Sequence, residues 1–193
     1  MKTIPRSFYR KDTVDVAHDL LGKILVRRIN GMTISGIISE TEAYRHGDDP
    51  ASHSFGGRTE RNKAMFGEVG RAYVYFTYGM HYCINAVAKD EKYEAGAVLI
   101  RALVPKDGLD FMIKQRKTGI ISNLANGPAK LTQSLKITRE QYGEDLTKVS
   151  GLYVTDGFDV KRSVIMSRPR IGIRKAVDNL WNFSVPENYF VDY

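Results

Sequence analysis

Two runs of β-forming residues on either side of a Gly-Met dipeptide constrain the fold of this chain more than any other feature. The first run, residues 72–78, is dense in Tyr, Val and Phe, and the second, residues 81–88, begins directly after Gly79-Met80. Aromatic and β-branched residues favour strands, and a short glycine-containing break between two such runs indicates a hairpin turn. The sequence therefore predicts an antiparallel strand pair with its tip near Tyr78.

The rest of the chain alternates short β-like and helical patterns without a repeat or a linker. The β-like runs occupy residues 24–26, 33–38 continuing into 40–44, 97–104, 151–155, 164–167 and 171–173, and the helical patterns occupy residues 14–21, 109–117 and 128–135. Asp12 or Thr13 is placed to cap the first helix, and Pro128 suits the first turn of the last one. We expect a mixed α/β (α+β) fold over residues 1–193: a single domain with a curved, mainly antiparallel β-sheet flanked by helices and a protruding β-hairpin.

Charge and cysteine content narrow the environment and the partners. The 193 residues include 29 Lys and Arg against 22 Asp and Glu, a formal net charge of +7, which favours a polyanionic partner without requiring one. Cys83 is the only cysteine, so no intramolecular disulfide can form. The N-terminus has no apolar targeting stretch, and no run approaches about 18 apolar residues. We therefore expect a cytoplasmic protein with no membrane partner.

A pair of carboxylates, Glu40 and Glu42, closes one of the β-like runs. Alternation along a strand places both on one face, roughly 7 Å apart. A solvated strand face is one interpretation, and a catalytic site is the other. A sugar hydrolase needs two carboxylates that flank the bond, whereas one carboxylate is enough to activate water when the leaving group is cationic or easily protonated. The spacing alone does not decide which carboxylate would act.

Aromatic residues concentrate in the predicted hairpin, at Tyr73, Tyr75, Phe76, Tyr78 and Tyr82. Packing in a core also explains such a cluster. At the tip, however, little core is available, and an exposed aromatic side chain at Tyr78 is suited to wedge between stacked bases. Tyrosines on the inner face of the strands are suited to stack on a flat ring.

The motifs support neither metal nor nucleotide-cofactor chemistry. His46, His53, His81 and Cys83 lack the spacing that is typical of a zinc site, and the chain contains no Gly-rich phosphate-binding motif. We therefore expect no metal and no cofactor. Cys83 is better explained as a buried strand residue than as a nucleophile.

Basic residues gather in segments that are suited to contact DNA phosphates, although each segment alone also fits a solvated face. The residues predicted to contact the DNA backbone are Arg58, Arg61, Lys63, Lys130 and Arg170. Arg174 and Lys175 continue the last of these segments.

Several motifs together resemble the alkyladenine (3-methyladenine) DNA glycosylase family. They are ETEAY at residues 40–44, ASHS at 51–54, RNKAMF at 61–66, YVYFTYGM at 73–80 with Asn85, LIRAL at 99–103 and, more weakly, NGPAKL at 126–131 and RPRIGI at 168–173. The motifs follow the family's order and cover nearly the whole chain. The resemblance implies a cofactor-free, monofunctional enzyme that flips alkylated or deaminated purines out of double-stranded DNA. The enzyme would then hydrolyse the bond between the base and deoxyribose.

The resemblance also implies catalytic roles. Glu42 matches the general base that activates water, and Arg101 and the carbonyl group of Ile171 match the groups that hold this water. Glu40 is then left with a supporting role. These assignments come from the matched motifs, since spacing alone does not separate the two carboxylates.

Further matched residues imply a base pocket and an intercalating tip. The pocket residues are Tyr44, His53, Tyr75, Asn85 and Cys83. Asn85 matches a side chain that crowds the amino group of normal guanine. Tyr78 matches the wedge that replaces the flipped base in the stack, and Met80 borders it.

Two other functions remain open at this point. A hydrolase of sugars or nucleosides would use Glu40 and Glu42 as a pair and would be indifferent to salt, whereas DNA binding weakens as salt rises. A non-catalytic nucleic-acid-binding module would use the tyrosine-rich hairpin for stacking and would not depend on Glu42. Our expectation is a monomer whose partner is duplex DNA with damaged purines, and which is nucleoid-associated through that DNA.

Overall fold

The computed structural model describes residues 2–190 and contains, within them, three α-helices and eight β-strands. The helices are α1 (Thr13–Asp19), α2 (Leu109–Arg116) and α3 (Pro128–Ser134). The strands are β1 (Ile24–Ile29), β2 (Met32–Arg45), β3 (Ala72–Thr77), β4 (His81–Val87), β5 (Gly96–Asp107), β6 (Leu152–Thr155), β7 (Met166–Arg168) and β8 (Asn182–Ser184). A helix at each of the three predicted positions confirms the helical patterns in the sequence.

The described strands form one antiparallel sheet in the order β3-β4-β5-β2-β1-β6, and β8 pairs with both β2 and β7. The 14-residue strand β2 is central, because its beginning pairs with β1, its later part pairs with β8, and β5 lies along its other edge. The sheet curls into a half-barrel. This architecture confirms the predicted α+β class with a curved, antiparallel sheet. That the β3–β4 hairpin protrudes from the sheet stays a prediction.

The helices pack against one face of the sheet. Alternate residues of a strand point to opposite faces, and Thr41 of β2 points to the helical side, where its hydroxyl donates to the carbonyl oxygen of Ala17 at 2.7 Å. On α3, the hydroxyl of Thr132 donates to the backbone carbonyl of Tyr82 on β4 at 2.9 Å. The core between these layers includes Leu20, Ile84, Ile100 and Leu131. The neighbours of Thr41 in β2, Glu40 and Glu42, therefore point to the other face.

A β-bulge in the pairing of β2 with β5 sets the direction of the Arg101 side chain. The ladder shifts register on both sides of Glu40, opposite the part of β5 that contains Arg101. Bulges of this kind bend a strand and redirect the side chains beside them. Arg101 consequently reaches both carboxylates of β2, Glu40 and Glu42.

Two local predictions differ from the structure. The predicted strand over residues 171–173 is wrong, because the chain turns at Gly172 with a φ of +80°, and the Ile171 N–H donates to a side chain instead of a strand. Strand β8 was not predicted, since three residues are too few to show alternation. At the first helix the structure selects Asp12 as the cap, whose carboxylate accepts from the Val14 N–H at 2.8 Å.

Candidate active site

A row of side chains crosses five strands on the face opposite the helices. Directly paired residues of an antiparallel sheet share a face. The strand register places five residues side by side: Tyr73 of β3, Asn85 of β4, Leu99 of β5, Glu42 of β2 and Asn182 of β8. Strand pairing therefore brings a predicted pocket residue, Asn85, into line with the predicted catalytic residue, Glu42.

Glu42 has no exposed surface, and both of its carboxylate oxygens are hydrogen-bonded. Oε1 accepts from the Ile171 N–H at 2.8 Å and from the side-chain amide of Asn182 at 3.0 Å. Oε2 accepts from the Tyr44 hydroxyl at 2.7 Å. The Nη1 atom of Arg101 lies 3.5 Å from Oε1. All of these partners are donors, which suits an ionised carboxylate because that group only accepts.

Glu40 shares two of these partners. Its Oε1 atom accepts from the Nε of Arg101 at 3.1 Å and from the same amide nitrogen of Asn182 at 2.7 Å. The prediction that Glu40 and Glu42 lie on one face is thus confirmed. The two carboxylates lie next to each other beside one guanidinium group, so they do not flank a bond in the way that the acid pair of a sugar hydrolase does.

A cavity of about 540 Å³ adjoins this network, a volume typical of pockets that enclose small molecules. The predicted site residues that line it are Tyr44, His53, Tyr75, Tyr78, Cys83, Asn85, Arg101 and Ile171. Glu42 lies beneath this lining, because Tyr44, Arg101 and Ile171 contact its carboxylate and also face the cavity. The structure therefore brings together the predicted pocket and the predicted catalytic residues, with Glu42 at the cavity floor.

Aromatic rings form one wall of the cavity. The ring centroids of Tyr73 and Tyr75 are 5.4 Å apart, and the ring of His53 lies 4.7 Å from that of Tyr75, edge to face. The Nδ1 atom of His53 is 3.0 Å from the Tyr73 hydroxyl, and its backbone carbonyl accepts from the Asn62 amide at 2.8 Å. These contacts fix the ring orientations. The wall is therefore suited to contact a flat ligand.

Burial shifts the pKa values of four side chains that line the cavity, those of Tyr75, Tyr44, His53 and Cys83, toward the uncharged form. Burial raises the pKa of Tyr75 and of Tyr44 well above the usual value for a phenol. Loss of water around the imidazole, with the positive charge of Arg61 as a second cause, lowers the pKa of His53 below its usual range. Burial also raises the pKa of the Cys83 thiol. At neutral pH the wall therefore presents neutral groups to a ligand.

The tip of the β3–β4 hairpin has an uncommon backbone. Tyr78 and Gly79 have φ values of +50° and +68°, and the Met80 N–H donates to the Thr77 carbonyl at 3.2 Å, as in a type I′ turn. A bulky residue with a positive φ is rare. The Tyr78 side chain is 85% exposed, and that of Met80 is exposed beside it. Tyr78 thus lies outside the core while bordering the cavity.

The basic residues of the predicted DNA-contacting segments differ in exposure. The exposed ones include Arg58, Arg61, Lys63, Arg174 and Lys175. The guanidinium of Arg61 lies 5.4 Å from the centre of the Tyr75 ring, so this residue is beside the cavity. Lys130 is half-buried in α3, and its Nζ donates to the side chain of Asn126 at 2.7 Å. Contacts of these residues with phosphate stay a prediction.

The prediction that Arg170 contacts a DNA phosphate is wrong. Its side chain has no exposed surface and forms a two-pronged ion pair with Asp49, in which Nη1 lies 2.6 Å from Oδ2 and Nη2 lies 2.7 Å from Oδ1. Nη1 also donates to the Ala43 carbonyl at 2.8 Å, and the guanidinium carbon lies 4.6 Å from the centre of the Tyr44 ring. This arginine is therefore used inside the protein, next to the site.

Two residues of the site gave no signal in the sequence. Asn182 donates to Glu40 and Glu42, which are 142 and 140 positions away, and Asp49 pairs with Arg170 across 121 positions. An isolated amide or carboxylate is ordinary surface composition. Only the fold reveals that both side chains are buried at the site.

Within residues 2–190, no group of His, Cys, Asp and Glu side chains is arranged to hold a metal ion. No helix in the described part of the chain is long and apolar enough to cross a membrane. That the protein works without a cofactor stays a prediction.

A buried carboxylate beneath an aromatic cavity, with an exposed aromatic tip beside it, is suited to act on a flat group held in the cavity. The methylpurine-DNA glycosylase family model matches residues 7–189. The chain therefore belongs to this family and is a DNA glycosylase, as the motifs in its sequence predict. A non-catalytic binding module and a sugar hydrolase are set aside accordingly.

Relatives match the chain over nearly its full length. A protein of Carboxydothermus hydrogenoformans is 47% identical over 188 residues, which cover 97% of each chain. A protein of Prosthecochloris aestuarii is 44% identical over 192 residues, covering 99% of this chain and 91% of the relative. A protein of Clostridium perfringens (strain 13) is 42% identical over 199 residues, covering 96% and 97%. All three carry the provisional name 3-methyladenine DNA glycosylase.

Proposed function

We propose that this enzyme flips alkylated or deaminated purines, of the 3-methyladenine, 7-methylguanine and hypoxanthine type, out of duplex DNA and hydrolyses their bond to deoxyribose, which starts base excision repair. The observation that carries the proposal is the buried Glu42 carboxylate, held by Tyr44, Arg101 and Ile171, all of which line the aromatic cavity. The names of the relatives support 3-methyladenine as one substrate.

Glu42 acts as the general base in this proposal. A water held by Arg101 and the Ile171 carbonyl gives a proton to the carboxylate while its oxygen attacks C1′ of the deoxyribose, and the base leaves with the electrons of the glycosidic bond. Because Glu42 has no exposed surface, the Tyr44 hydroxyl that covers Oε2 must move aside when the base and the water enter. The carboxylate is thus shielded until a substrate is in place.

The charge of the leaving base sets the order of reactivity. Glu40 is hydrogen-bonded to Arg101 and Asn182, so we assign it no role in protonating the leaving group. A base that already carries a positive charge, such as 3-methyladenine, therefore leaves most readily. Hypoxanthine must first gain a proton on the purine, so we expect its release to be slower and to depend more steeply on pH. A flat pH profile for hypoxanthine release would count against this step.

Asn85 is proposed to exclude normal guanine. Its side-chain amide donates to the Tyr73 carbonyl at 3.0 Å and is buried at the cavity wall. This hydrogen bond fixes the side chain where it would crowd the exocyclic amino group of guanine. The neighbouring rings of Tyr44, His53 and Tyr75 would stack on any purine, so discrimination depends on this steric contact.

The exposed tip and the basic residues are proposed to engage the DNA. Tyr78, with Met80 beside it, would fill the gap that the flipped base leaves in the stack, and each base–aromatic stack stabilises by about 1–3 kcal/mol. Extruding a base costs a few kcal/mol, so this contribution is of the size required. The residues proposed to contact phosphates are Arg58, Arg61, Lys63, Lys130, Arg174 and Lys175. We also propose that the enzyme acts as a monomer, since a protein that inserts a wedge into DNA from one side needs no second subunit.

Base release tests the proposed function. Wild-type enzyme and the Glu42→Gln variant are incubated with methylated DNA, assayed for free 3-methyladenine, and with a duplex that carries one hypoxanthine. We expect release by the wild type and none by Glu42→Gln, which keeps its affinity for lesion DNA. Glu40→Gln, the matched change on the neighbouring carboxylate, retains measurable release. A folded, DNA-binding wild type that releases neither base would overturn the proposal.

A further inference from the structure

A buried ion pair connects two loops that both contribute to the cavity lining. Asp49 belongs to the loop after β2, and Arg170 follows β7. Both side chains have no exposed surface, and their two hydrogen bonds are 2.6 and 2.7 Å long. Asp49 also anchors its own loop, since its Oδ1 accepts from the Ala51 N–H at 3.1 Å and its carbonyl accepts from the Ser52 N–H at 2.9 Å.

The residues that follow each partner line the cavity. In the loop after β2, Pro50, Ala51 and His53 follow Asp49. In the segment after β7, the lining residues that follow Arg170 are Ile171, Gly172, Ile173, Arg174 and Lys175. The pair therefore fixes two separate parts of the cavity wall to each other.

Arg170 is also connected to both oxygens of the Glu42 carboxylate. The next residue, Ile171, donates its N–H to Oε1 at 2.8 Å. Tyr44, whose ring centre lies 4.6 Å from the Arg170 guanidinium, donates its hydroxyl to Oε2 at 2.7 Å. Arg170 further holds the carbonyl of Ala43, the residue between Glu42 and Tyr44, at 2.8 Å. Any shift of the guanidinium would thus be transmitted to the carboxylate through several contacts.

We propose that Asp49 and Arg170 are positioning residues, which set the orientation of the Glu42 carboxylate and the width of the cavity. This inference rests on the proposed function, since it assigns a positioning role to residues around the base that function requires. A buried ion pair is weak support for fold stability, because the desolvation of both charges offsets their attraction. Its advantage is orientation: the planar guanidinium binds a carboxylate with two parallel hydrogen bonds, a geometry that lysine does not reproduce.

A purely structural pair and a positioning pair predict different results when both charges are removed. Replacing a buried ion pair by apolar residues of similar size is often neutral for stability. The double variant Asp49→Leu/Arg170→Met therefore separates the two roles, since it restores packing without restoring the directional hydrogen bonds. Asp49→Asn and Arg170→Lys are the conservative single changes.

The matched control breaks a similar pair away from the cavity. Arg6 and Asp145 are joined at 2.6 Å, are partly buried, and do not line the cavity. Asp145 also lies 3.7 Å from Arg71 Nη1 and from Lys148 Nζ. Asp145→Asn therefore removes one charge from an ion-pair network without touching the groups that hold Glu42.

The experiment measures single-turnover release of 3-methyladenine from methylated DNA at saturating enzyme, so that partial unfolding changes the amplitude and not the rate constant. Affinity for the same DNA and the urea midpoint are measured in parallel. We expect Asp49→Asn, Arg170→Lys and the double variant to lower the rate constant at least tenfold, with affinity changed less than threefold. The Asp145→Asn control should stay within twofold of the wild-type rate.

Rate constants within twofold of the wild type for Asp49→Asn and Arg170→Lys would overturn the inference, as would a rate loss in Asp145→Asn as large as theirs. If the double variant does not fold, the rate constants of the two single variants alone decide whether the pair has a positioning role. Glu42→Gln, assayed beside them, separates this outcome from a failure of the proposed function. Loss of release in Glu42→Gln with full activity in Asp49→Asn rejects only the positioning role, whereas release by Glu42→Gln at the wild-type rate rejects Glu42 as the base.

Discussion

The cavity floor and the hairpin tip border the same cavity but are built in opposite ways. At the floor, Glu42 has no exposed surface, and its carboxylate is bonded to groups from β2, β8 and the loop after β7. At the tip, Tyr78 is 85% exposed, and its backbone lies in the left-handed region. Apart from the Tyr44 hydroxyl, which moves aside in the proposed mechanism, the groups that hold the carboxylate are therefore in place before any substrate binds, as electrostatic catalysis requires. The tip presents its side chain to the solvent, where a DNA duplex can reach it.

The largest effect on stability is expected when the floor loses its positive charge. Arg101→Met leaves Glu40 and Glu42 next to each other without a counter-ion, and a buried charge without its partner costs about 3–5 kcal/mol. The free energy of unfolding, measured with urea at pH 7, should fall by about this amount, and base release should be lost. Arg58→Met, which removes an exposed arginine, should change stability by less than about 0.5 kcal/mol. Equal losses in the two variants would contradict the contrast between floor and surface.

At the hairpin tip, we expect a substitution to lower the affinity for lesion DNA and to leave the free energy of unfolding nearly unchanged. Tyr78→Ala, made in the Glu42→Gln background so that the DNA stays intact, should weaken lesion binding by about 1–3 kcal/mol, roughly 5- to 150-fold. The free energy of unfolding should stay within about 0.5 kcal/mol. Fluorescence anisotropy with a lesion duplex and urea unfolding measure the two quantities. Unchanged affinity together with a loss of stability would show that Tyr78 packs against the protein.

Asn85 belongs to the cavity wall, between the buried floor at Glu42 and the exposed tip at Tyr78. Asn85→Ser shortens the side chain that is proposed to crowd guanine, so release of normal guanine relative to 3-methyladenine should rise on the order of tenfold, the usual scale of steric discrimination in a pocket. Chromatography of the bases released from methylated DNA measures this ratio. An unaltered ratio would dismiss Asn85 as the group that excludes guanine.

The smallest effect is expected from the backbone of the tip. An alanine at Gly79 would have open space around its Cβ, so Gly79→Ala tests the positive φ alone and should lower the free energy of unfolding by about 1 kcal/mol. Gly56→Ala, also in open space but without a positive φ, is the matched control and should cost less. Urea unfolding compares them. Equal effects would show that the tip backbone carries no special strain.

Much of the framework could be predicted from local patterns. The turn signal at Gly79-Met80 between two β-like runs predicts the β3–β4 hairpin, and Pro128 and the helical pattern after it predict α3. Alternation correctly places Glu40 and Glu42 on one face. Such features depend on residues that are close together in the sequence, where propensity and periodicity operate.

The parts that could not be predicted depend on distant partners. Arg170 has the sequence context of a phosphate-binding arginine, and only the approach of Asp49, 121 positions away, shows that it is buried. The Ile-Gly-Ile pattern at residues 171–173 resembles a strand, but a side chain of β2 accepts the Ile171 N–H. Asn182 belongs to a strand of three residues, which carries no readable pattern. The choice of Glu42 over Glu40 came from the family motif and not from spacing.

Whether the cavity floor performs the chemistry is tested most directly by the single-turnover rate of 3-methyladenine release for the wild type and Glu42→Gln, with binding of the same DNA measured in parallel. A general base contributes about 10²- to 10⁴-fold to a rate. We expect a loss in the rate constant of at least this order, with affinity for the lesion DNA within about threefold of the wild type. A Glu42→Gln enzyme that releases the base at the wild-type rate would contradict this expectation.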